Sequence, residues 1–518
     1  MTARRALLVA LAGALPALAF PEPSLWWLAF GALVPWMLLV RRAPHGRCAA
    51  LDGWIGGTGF MLAVHHWLLP NLLVFTPVVA AFLGLLWAPW GWLVWRLLRG
   101  EPAGWRAAAA VVLVPSAWLM AELVRSWQYL GGPWALIGAS QWQVRPALDL
   151  ASVGGIWLVS WLVVAANAGV ATLAALGRGR KPAVAVLLAL AAGCGAVWTW
   201  APQPEQGGSV RVAVVQPGVV RGPELRFDTA ERLTRQLAGR RVDLVVWGES
   251  SVGFDLDERP DLSRRLAALS RLVGADLLVN VDARRADGKG IYKTAVLVGP
   301  GGPTGQRYDK TRLVPFGEYV PLRPVLGWVT GMSEAAAENR RRGRGPVLMD
   351  TAGVRLGPLV CFESAFPDMS RALAGRGAQL LVVQSATSTF QGSWAPEQHA
   401  SLAAIRAAET WRPVVHATLT GASAVADARG RQVGQWLGTS ERTAEVFQVP
   451  LASGTSPYVR FGPWVPWLAA GLLGVAALAA AARRLRGGGA FPGGRPGAAA
   501  RPELAENDRL SGAGPQRP

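Results

Sequence analysis

The chain contains few of the residues that form disulfides or bind metal ions, with three Cys and five His among 518 residues. Cys48 and Cys194 lie in or beside long apolar runs, so Cys361 is alone in the polar part of the chain and has no obvious disulfide partner there. The His and Cys residues also show no spacing typical of a metal site. We therefore expect no bound metal and, since the sequence contains no cofactor motif, no cofactor.

Lysine is rare as well, because only Lys181, Lys289, Lys293 and Lys310 stand among the 52 basic residues. A coding preference for Arg explains this bias wherever any positive charge is sufficient. A Lys that is retained can then mark a place that requires a compact ammonium and cannot hold a guanidinium fork. This argument raises Lys310 above the background as a candidate functional residue.

Asp, Glu and Lys are nearly missing from the apolar runs of the chain. A transporter would be expected to carry charged or polar residues inside several spans, so their scarcity disfavours transport. The net charge of +19 does not indicate nucleic-acid binding, because the Arg residues are dispersed and many lie in short loops between apolar runs. Membrane topology explains these positions better.

The sequence contains many long apolar runs, and 51% of its residues are hydrophobic. Eight runs approach the roughly 20 residues that a membrane-crossing helix needs. They lie at about residues 6–20, 24–40, 54–75, 77–98, 107–124, 151–176, 182–200 and 463–482. The first run is short, so a cleaved signal peptide is an alternative to a retained helix. The second run, which follows after a brief turn, favours the retained helix.

These runs divide the chain into four parts. They are a membrane domain of seven helices over residues 1–203, a polar domain over 208–450, a closing membrane helix over 463–482 and a tail over 487–518. Basic loops alternate along the first part, so the positive-inside rule places the N-terminus in the cytoplasm and the polar domain on the outer face. The tail returns to the cytoplasm, and its Gly, Pro and Arg content predicts disorder.

The polar domain carries a carboxylate, an ammonium and a thiol at three separate points. Short β-branched runs alternate with helical stretches, which predicts α/β layers around a largely buried sheet. Glu249 and Cys361 each lie at or just past the end of an apolar strand, where α/β folds open to ligands. With Lys310 they supply the base, the nucleophile and the oxyanion partner of acyl transfer through a thioester. Beside a membrane, this set suggests a lipid as acyl donor or acceptor.

Several motifs resemble the nitrilase superfamily, whose Glu-Lys-Cys triad lies on an αββα sandwich, and its membrane-embedded branch, the apolipoprotein N-acyltransferase family. The matching segments are residues 247–250 (WGES), 310–321 (KTRLVPFGEYVP), 361–367 (CFESAFP), 132–134 (GPW) and 456–462 (SPYVRFG). The resemblance covers nearly the whole chain. It departs at residues 384–390, where family members commonly carry Asn, and at Lys293, where an Asn is common. These changes bear on substrate positioning and leave the triad untouched.

The resemblance implies an enzyme that moves a fatty acyl chain from a phospholipid to the N-terminal α-amine of an S-diacylglyceryl-cysteine apolipoprotein. In this scheme Glu249 is the general base and Cys361 is the nucleophile that carries the acyl thioester. Lys310 and a backbone N–H near Phe362 stabilise the oxyanion. A membrane-embedded protein with two lipid substrates is thus expected.

Further residues are assigned supporting roles. Glu318 and Glu363 would orient Lys310 and the base, with solvated loop charges as the alternative. Candidates for substrate binding come from the motifs and the basic loop near them, namely Trp247, Tyr319, Trp134 and Arg342. Arg342 belongs to the loop at 329–345, which is either a mobile lid for an anionic phosphate or a solvated basic loop.

Two other functions stay open at this stage. A membrane-tethered amidase or nitrilase that hydrolyses a small C–N substrate would use the same triad, although it needs only one anchor and not eight spans. A non-catalytic lipid-binding or transport protein would use the polar domain only to recognise its ligand. We expect acyl transfer from the triad and the membrane spans together.

Overall fold

The computed structural model describes residues 2–101, 104–175, 181–285, 288, 290–328 and 338–487. Met1–Leu473 forms one structural unit, and Gly474–Pro518 forms a second. Apart from Gly487, the tail predicted over 487–518 lies outside the described residues.

The described chain is mainly helical up to Trp200. Its helices are α1 (Ala3–Ala14), α2 (Val34–Arg41), α3 (Gly46–Val64), α4 (Leu69–Leu72), α5 (Phe75–Gly84), α6 (Ala88–Leu98), α7 (Gly104–Arg125), α8 (Arg145–Ala175) and α9 (Lys181–Trp200). Five stretches among the described residues are long and apolar enough to cross a membrane, namely Phe75–Leu98, Gly104–Arg125, Arg145–Ala175, Lys181–Trp200 and Trp464–Leu485. They overlap the predicted spans at 77–98, 107–124, 151–176, 182–200 and 463–482.

The other three predicted spans differ from the observed helices. α1 ends at Ala14 and continues as a 3-10 turn, because Pro16 has no N–H to extend the helical hydrogen bonds. The second span is a shorter apolar helix, Trp26–Arg41. α3 lies earlier than the predicted 54–75, since the His45 ring accepts the Cys48 N–H at its start and the chain breaks into short turns ahead of Pro70. The count of eight spans therefore stays a prediction.

The polar domain contains two β-sheets. Its strands are β1 (Glu205–Gln216), β2 (Leu244–Trp247), β3 (Asp276–Arg284), β4 (Ile291–Gly299), β5 (Gly302–Asp309), β6 (Met349–Thr351), β7 (Val354–Val360), β8 (Leu380–Ser385), β9 (Val414–Thr418), β10 (Ala424–Ala426) and β11 (Thr443–Ser453). The sheet orders are β11-β1-β2-β3-β4-β5 and β10-β9-β8-β7-β6. Neighbours are parallel within β1-β2-β3 and within β7-β8-β9. The first strand along the chain, β1, begins just before residue 208, and the last strand, β11, ends just after residue 450.

Helices lie on both sides of the paired sheets. The remaining helices are α10 (Pro223–Arg235), α11 (Pro260–Val273), α12 (Arg323–Leu326), α13 (Pro367–Gly375), α14 (Ala395–Thr410), α15 (Pro457–Phe461) and α16 (Trp464–Gly487). Alternate residues of β1 enter different cores, because Val212 and Val214 face the second sheet while Ala213 and Val215 face α10 and α11. This two-sided burial explains why the second half of β1 is an almost uninterrupted apolar run.

The layers follow the order helix, sheet, sheet, helix, so the α/β sandwich that the resemblance implies is confirmed. Leu373 of α13 and Ile405 of α14 lie in the same apolar core as Leu381 of β8 and Val163 of α8. The second helix layer thus packs on one side against its sheet and on the other against the membrane helices. Such a continuous apolar core fixes the sandwich on the membrane domain.

The long helix α8 is interrupted at Gly155, whose φ of 69° is left-handed. A Cβ on Gly155 would lie 2.6 Å from the Tyr458 ring. At the break, the backbone N–H of Ile156 donates to Oε1 of Glu409 in α14, at 2.7 Å. Glu409 is fully buried and also pairs with Arg406, with 3.0 Å between Oε2 and Nε. The sandwich therefore supplies the polar partner for a break inside a membrane helix.

Candidate active site

Glu249 lies two residues after β2, and the second sheet holds its backbone. Its N–H donates to the carbonyl oxygen of Ser385 at 3.0 Å. At Gly248 the two sheets approach so closely that a Cβ would lie 1.9 Å from the backbone nitrogen of Leu419. Only glycine fits this approach. The Glu249 side chain is only 3% exposed and points into the region between the strand ends.

Lys310 follows β5 directly and its ammonium joins two carboxylates. Its Nζ lies 3.1 Å from Oε1 of Glu249 and 2.7 Å from Oε1 of Glu318. Glu318 is itself fixed, because its second oxygen accepts the backbone N–H of Val314 at 2.8 Å. The sequence-based expectation that Glu318 touches Lys310 agrees with this geometry, although its role in catalysis stays a prediction.

Cys361 follows β7 directly and has a left-handed backbone, with a φ of 53°. A non-glycine residue is strained in this region, and such strain persists where surrounding contacts hold it. The Ser364 hydroxyl donates to the Cys361 carbonyl oxygen at 3.0 Å, and Nε2 of His399 lies 3.0 Å from the same oxygen. The charges of Glu249 and Lys310 both act on the buried Cys361 thiol. The three predicted triad residues therefore meet in one place.

The charges of the triad depend on one another. Burial opposes ionisation of Glu249, but the ammoniums of Lys293 and Lys310 outweigh it and lower the pKa of Glu249. Burial likewise opposes the charge on Lys310, yet Glu249 and Glu318 hold its pKa well above the usual value. Burial and the Glu249 charge raise the pKa of the Cys361 thiol to about 12. The resting site thus contains a carboxylate, an ammonium and a neutral thiol that needs a base.

Glu363 links the nucleophile loop to the loop that carries Lys310. Its Oε1 accepts the N–H groups of Thr311 (2.6 Å) and Arg312 (2.9 Å) and the hydroxyls of Thr311 (2.9 Å) and Tyr308 (2.8 Å). Its Oε2 accepts the N–H of Val360 at 2.8 Å. Burial raises the pKa of Glu363, while the N–H groups of Arg312 and Val360 act against burial. Because every one of these partners donates, the carboxylate is the form that the site accommodates.

Phe362 and Trp134 connect the nucleophile loop to the membrane domain. Their rings are stacked, with centroids 6.5 Å apart. The indole N–H of Trp134 donates to Oε1 of Gln398 in α14 at 2.9 Å. Gly132, two residues earlier, lies so close that a Cβ would be 2.6 Å from the Phe362 ring. The loop between α7 and α8 therefore packs directly beside Cys361.

Trp247 lies in the core of the sandwich, and substrate contact for it stays a prediction. Its side chain is fully buried, its ring packs edge-on against Phe227, and its indole N–H donates to the Thr234 hydroxyl at 2.9 Å. Trp247 ends β2 on the face that points toward α10 and α11, whereas Glu249 lies beyond the strand end. Side chains alternate along a strand, so this ring belongs to the core.

Arg342 connects Tyr319 to the loop that follows α7 in the membrane domain. The Arg342 guanidinium lies over the rings of Tyr129 and Tyr319, 4.8 and 5.3 Å from their centroids, and donates to the Tyr129 hydroxyl at 3.1 Å. Tyr129 belongs to the loop that follows α7. These contacts show a bridge between two loops, and phosphate binding by Arg342 stays a prediction. Residues 329–337 of the predicted lid lie outside the described residues.

Sequence reasoning missed Lys293, Asp282 and His399 as members of the site. Lys293 lies 3.2 Å from Oε1 of Glu249 and 3.1 Å from Oδ2 of Asp282. His399 supports the Cys361 carbonyl oxygen. The scarcity of Lys applied to Lys293 as well as to Lys310, so that signal could have found it. Across the described ranges, no group of three or more His, Cys, Asp or Glu is arranged to hold a metal ion.

The segment at 384–390, which departs from the family pattern, serves the sandwich at its first residues. The Gln384 amide donates to the carbonyl oxygens of Trp247 and Leu278, at 2.8 and 3.1 Å. The Ser385 hydroxyl lies 3.1 Å from Nδ1 of His399. These side chains connect β8 to the first sheet and to α14, so they hold the strands that carry the triad residues in place.

Comparison with known proteins finds matching families for both the membrane domain and the sandwich. Residues 12–169 match the apolipoprotein N-acyltransferase N-terminal domain, and residues 211–456 match the carbon-nitrogen hydrolase family. The apolipoprotein N-acyltransferase of Geobacter metallireducens is 31% identical over 91% of this chain and 95% of its own length. That of Azotobacter vinelandii is 33% identical over 92% and 96%. A solved amidase from Nesterenkonia sp. aligns with 50% of this chain and 95% of its own, at 20% identity and a TM-score of 0.35.

Proposed function

The chain belongs to the apolipoprotein N-acyltransferase family, and from this premise we propose that it transfers a fatty acyl chain from a membrane phospholipid to the N-terminal amine of a diacylglyceryl apolipoprotein. It is a membrane enzyme with a carbon-nitrogen hydrolase domain. The observation that carries the proposed donor is that the nucleophile loop lies on the membrane domain, with Phe362 stacked on Trp134. Because its loop packs on the membrane domain, the Cys361 thiol can reach the ester of a phospholipid that stays in the bilayer.

In the first half-reaction, Glu249 removes the proton of the Cys361 thiol, and the sulfur attacks the ester carbonyl carbon of the phospholipid. The C–O bond of the ester breaks as the C–S bond forms. The proton on Glu249 passes to the leaving oxygen, so a lysophospholipid departs and a thioester remains on Cys361. The thiol pKa of about 12 explains why a neighbouring base is required.

Lys310 stabilises the oxyanion of this step. An ammonium has three hydrogens, and Glu249 and Glu318 accept two of them among the described residues. The third is directed to the carbonyl oxygen, with a backbone N–H near Phe362 as the second donor. Loss of one such donor typically raises the barrier by about 2.7–4 kcal/mol.

In the second half-reaction, the α-amine of the acceptor attacks the thioester. The C–N bond forms, the C–S bond breaks and Glu249 carries the amine proton to the Cys361 sulfur, which restores the resting thiol. The product is an amide on a triacylated apolipoprotein. The alternating basic loops favour a sandwich on the outer face of the inner membrane, with both termini in the cytoplasm.

The test is intact-mass spectrometry of the full chain after incubation with phospholipid and without acceptor. We expect a fatty-acyl mass increment in the wild type and in the control Cys48→Ala, whose substituted thiol lies in α3, and none in Cys361→Ala. Adding a diacylglyceryl peptide should remove the increment and acylate the peptide. Folded, lipid-bound wild type without an increment would refute the phospholipid donor, and rapid loss of the increment to water alone would favour the amidase.

A further inference from the structure

The site contains a second buried ammonium that the acyl-transfer steps do not use. We propose that Lys293 is a positioning residue that keeps the base Glu249 ionised and turned toward the Cys361 thiol. This inference rests on the proposed role of Glu249 as the general base. It assigns a task to a residue that stands where Asn is common in the family that the sequence resembles.

The Lys293 side chain is held from three directions. It projects from β4 opposite Asp282 of β3 in the antiparallel register. Its Nζ lies 3.1 Å from Oδ2 of Asp282 and 3.2 Å from Oε1 of Glu249, and it donates to the Ser250 hydroxyl at 2.8 Å. The side chain is 11% exposed. These distances suit a compact ammonium.

Both ammoniums contact the same oxygen of the base. Oε1 of Glu249 lies 3.1 Å from Nζ of Lys310 and 3.2 Å from Nζ of Lys293. Among the described residues, Oε2 accepts no hydrogen bond from either ammonium, which leaves it to take the thiol proton in the proposed step. The carbonyl oxygen of Lys293 also accepts the N–H of Lys310 at 2.9 Å. Lys293 thus fixes the rotation of the carboxylate and the backbone of its partner.

The charges around Glu249 depend on this residue. Titratable and charged groups surround the base from every element packed against it. They are Lys293 of β4, Asp282 of β3, Lys310 and Glu318 after β5, Arg340, Cys361 after β7 and His399 of α14. Arg340 contacts Asp282 at 3.2 Å and not the base. Without Lys293, Asp282 would keep Arg340, whereas Glu249 and Glu318 would share the single ammonium of Lys310, and Glu249 would hold a proton more tightly.

The experiment measures the rate of acyl-enzyme formation against pH, with the full chain in vesicles of phosphatidylethanolamine and phosphatidylglycerol. The base works only when ionised, so the rate falls on the acid side as Glu249 is protonated. Lys293→Asn removes a positive charge and should move this acid limb to higher pH by about 1 to 3 units. Asp282→Asn removes a negative charge from the same cluster and should move the limb to lower pH. Lys293→Arg keeps the charge and should keep the limb in place, whatever its rate.

Opposite shifts in the first two variants support the inference, because a merely structural defect would not reverse sign with the charge removed. Unchanged limbs, or shifts in one direction for both, would overturn it. If Lys293→Asn does not fold, the pH profile of Asp282→Asn decides. A shift of its acid limb to lower pH supports the inference, and an unmoved limb overturns it. A wild type that forms no acyl-enzyme contradicts the proposed function itself, which separates the two failures.

Discussion

Replacement of Glu363 by Gln tests whether the loop contacts place the nucleophile. The change keeps the size of the side chain and one oxygen, but it replaces the other oxygen by an NH₂ group. If the remaining oxygen keeps the four donors that now reach Oε1, the new NH₂ group faces the N–H of Val360. If the amide turns over, the four donors lose their acceptor. In either arrangement, the NH₂ group of the new Gln faces buried hydrogen-bond donors of the protein instead of an acceptor.

The expected cost follows from the number of donors left without an acceptor. One unsatisfied buried donor costs about 1–3 kcal/mol, and the better rotamer of Glu363→Gln leaves one, at Val360. Val360 immediately precedes Cys361, so the cost acts on the placement of the thiol. Each 1.36 kcal/mol on the barrier is a factor of ten, so acyl-enzyme formation should slow by about 5- to 150-fold.

The assay is acyl-enzyme formation by intact mass under single-turnover conditions, together with the thermal inactivation midpoint in the same lipid. Tyr308→Phe is the matched control, since it removes one donor to Oε1 and leaves three others in place. We expect a small change in the control and a large one in Glu363→Gln. If Glu363→Gln keeps both the wild-type rate and midpoint, the argument from these five hydrogen bonds is refuted.

Three further experiments test other parts of the site. Cys361, with its pKa raised to about 12, should react slowly with iodoacetamide at neutral pH, and its rate should still rise at pH 9 in peptide mapping; a plateau near neutrality would contradict this. Gly248→Ala should abolish acylation and folded yield, because the new Cβ would lie 1.9 Å from a backbone nitrogen; normal yield in a detergent-stable form would contradict the close approach. Trp247→Phe should lower the inactivation midpoint, since Thr234 loses its indole donor, and leave the apparent KM for phospholipid unchanged. A raised KM at an unchanged midpoint would instead return Trp247 to the substrate surface.

Much of the fold was predictable because local patterns and long-range packing agree in the sandwich. β2 and the second half of β1 are apolar runs bounded by polar residues, and their two-sided burial is what such runs indicate. The membrane part was less predictable in detail. Pro16 and Pro70 interrupt apolar runs that look continuous by hydropathy alone, and α3 begins before its predicted span.

In the candidate site too, some features could be predicted from the sequence and others could not. Glu249, Lys310 and Cys361 follow strands that end at one edge of the sandwich, so their meeting could be inferred from chain position. Lys293 could not be placed in this way, because it lies within β4 and reaches the base only through the register of β3 with β4. Trp247 was assigned from its motif neighbours, but strand alternation turns its ring into the core. Adjacency in sequence does not give adjacency in a site.

The break in α8 bears on how the molecule is made. Ile156 and Glu409 are 253 residues apart, so α8 is synthesised long before the carboxylate that accepts its exposed N–H exists. Until α14 has been translated and docked, this donor lacks its carboxylate partner, and the N-terminal helices remain an incomplete intermediate. The sandwich thus acts as the last component of membrane-domain assembly. An excised N-terminal half should be a substrate for quality-control proteolysis in the membrane, rather than a stable fragment awaiting its enzyme.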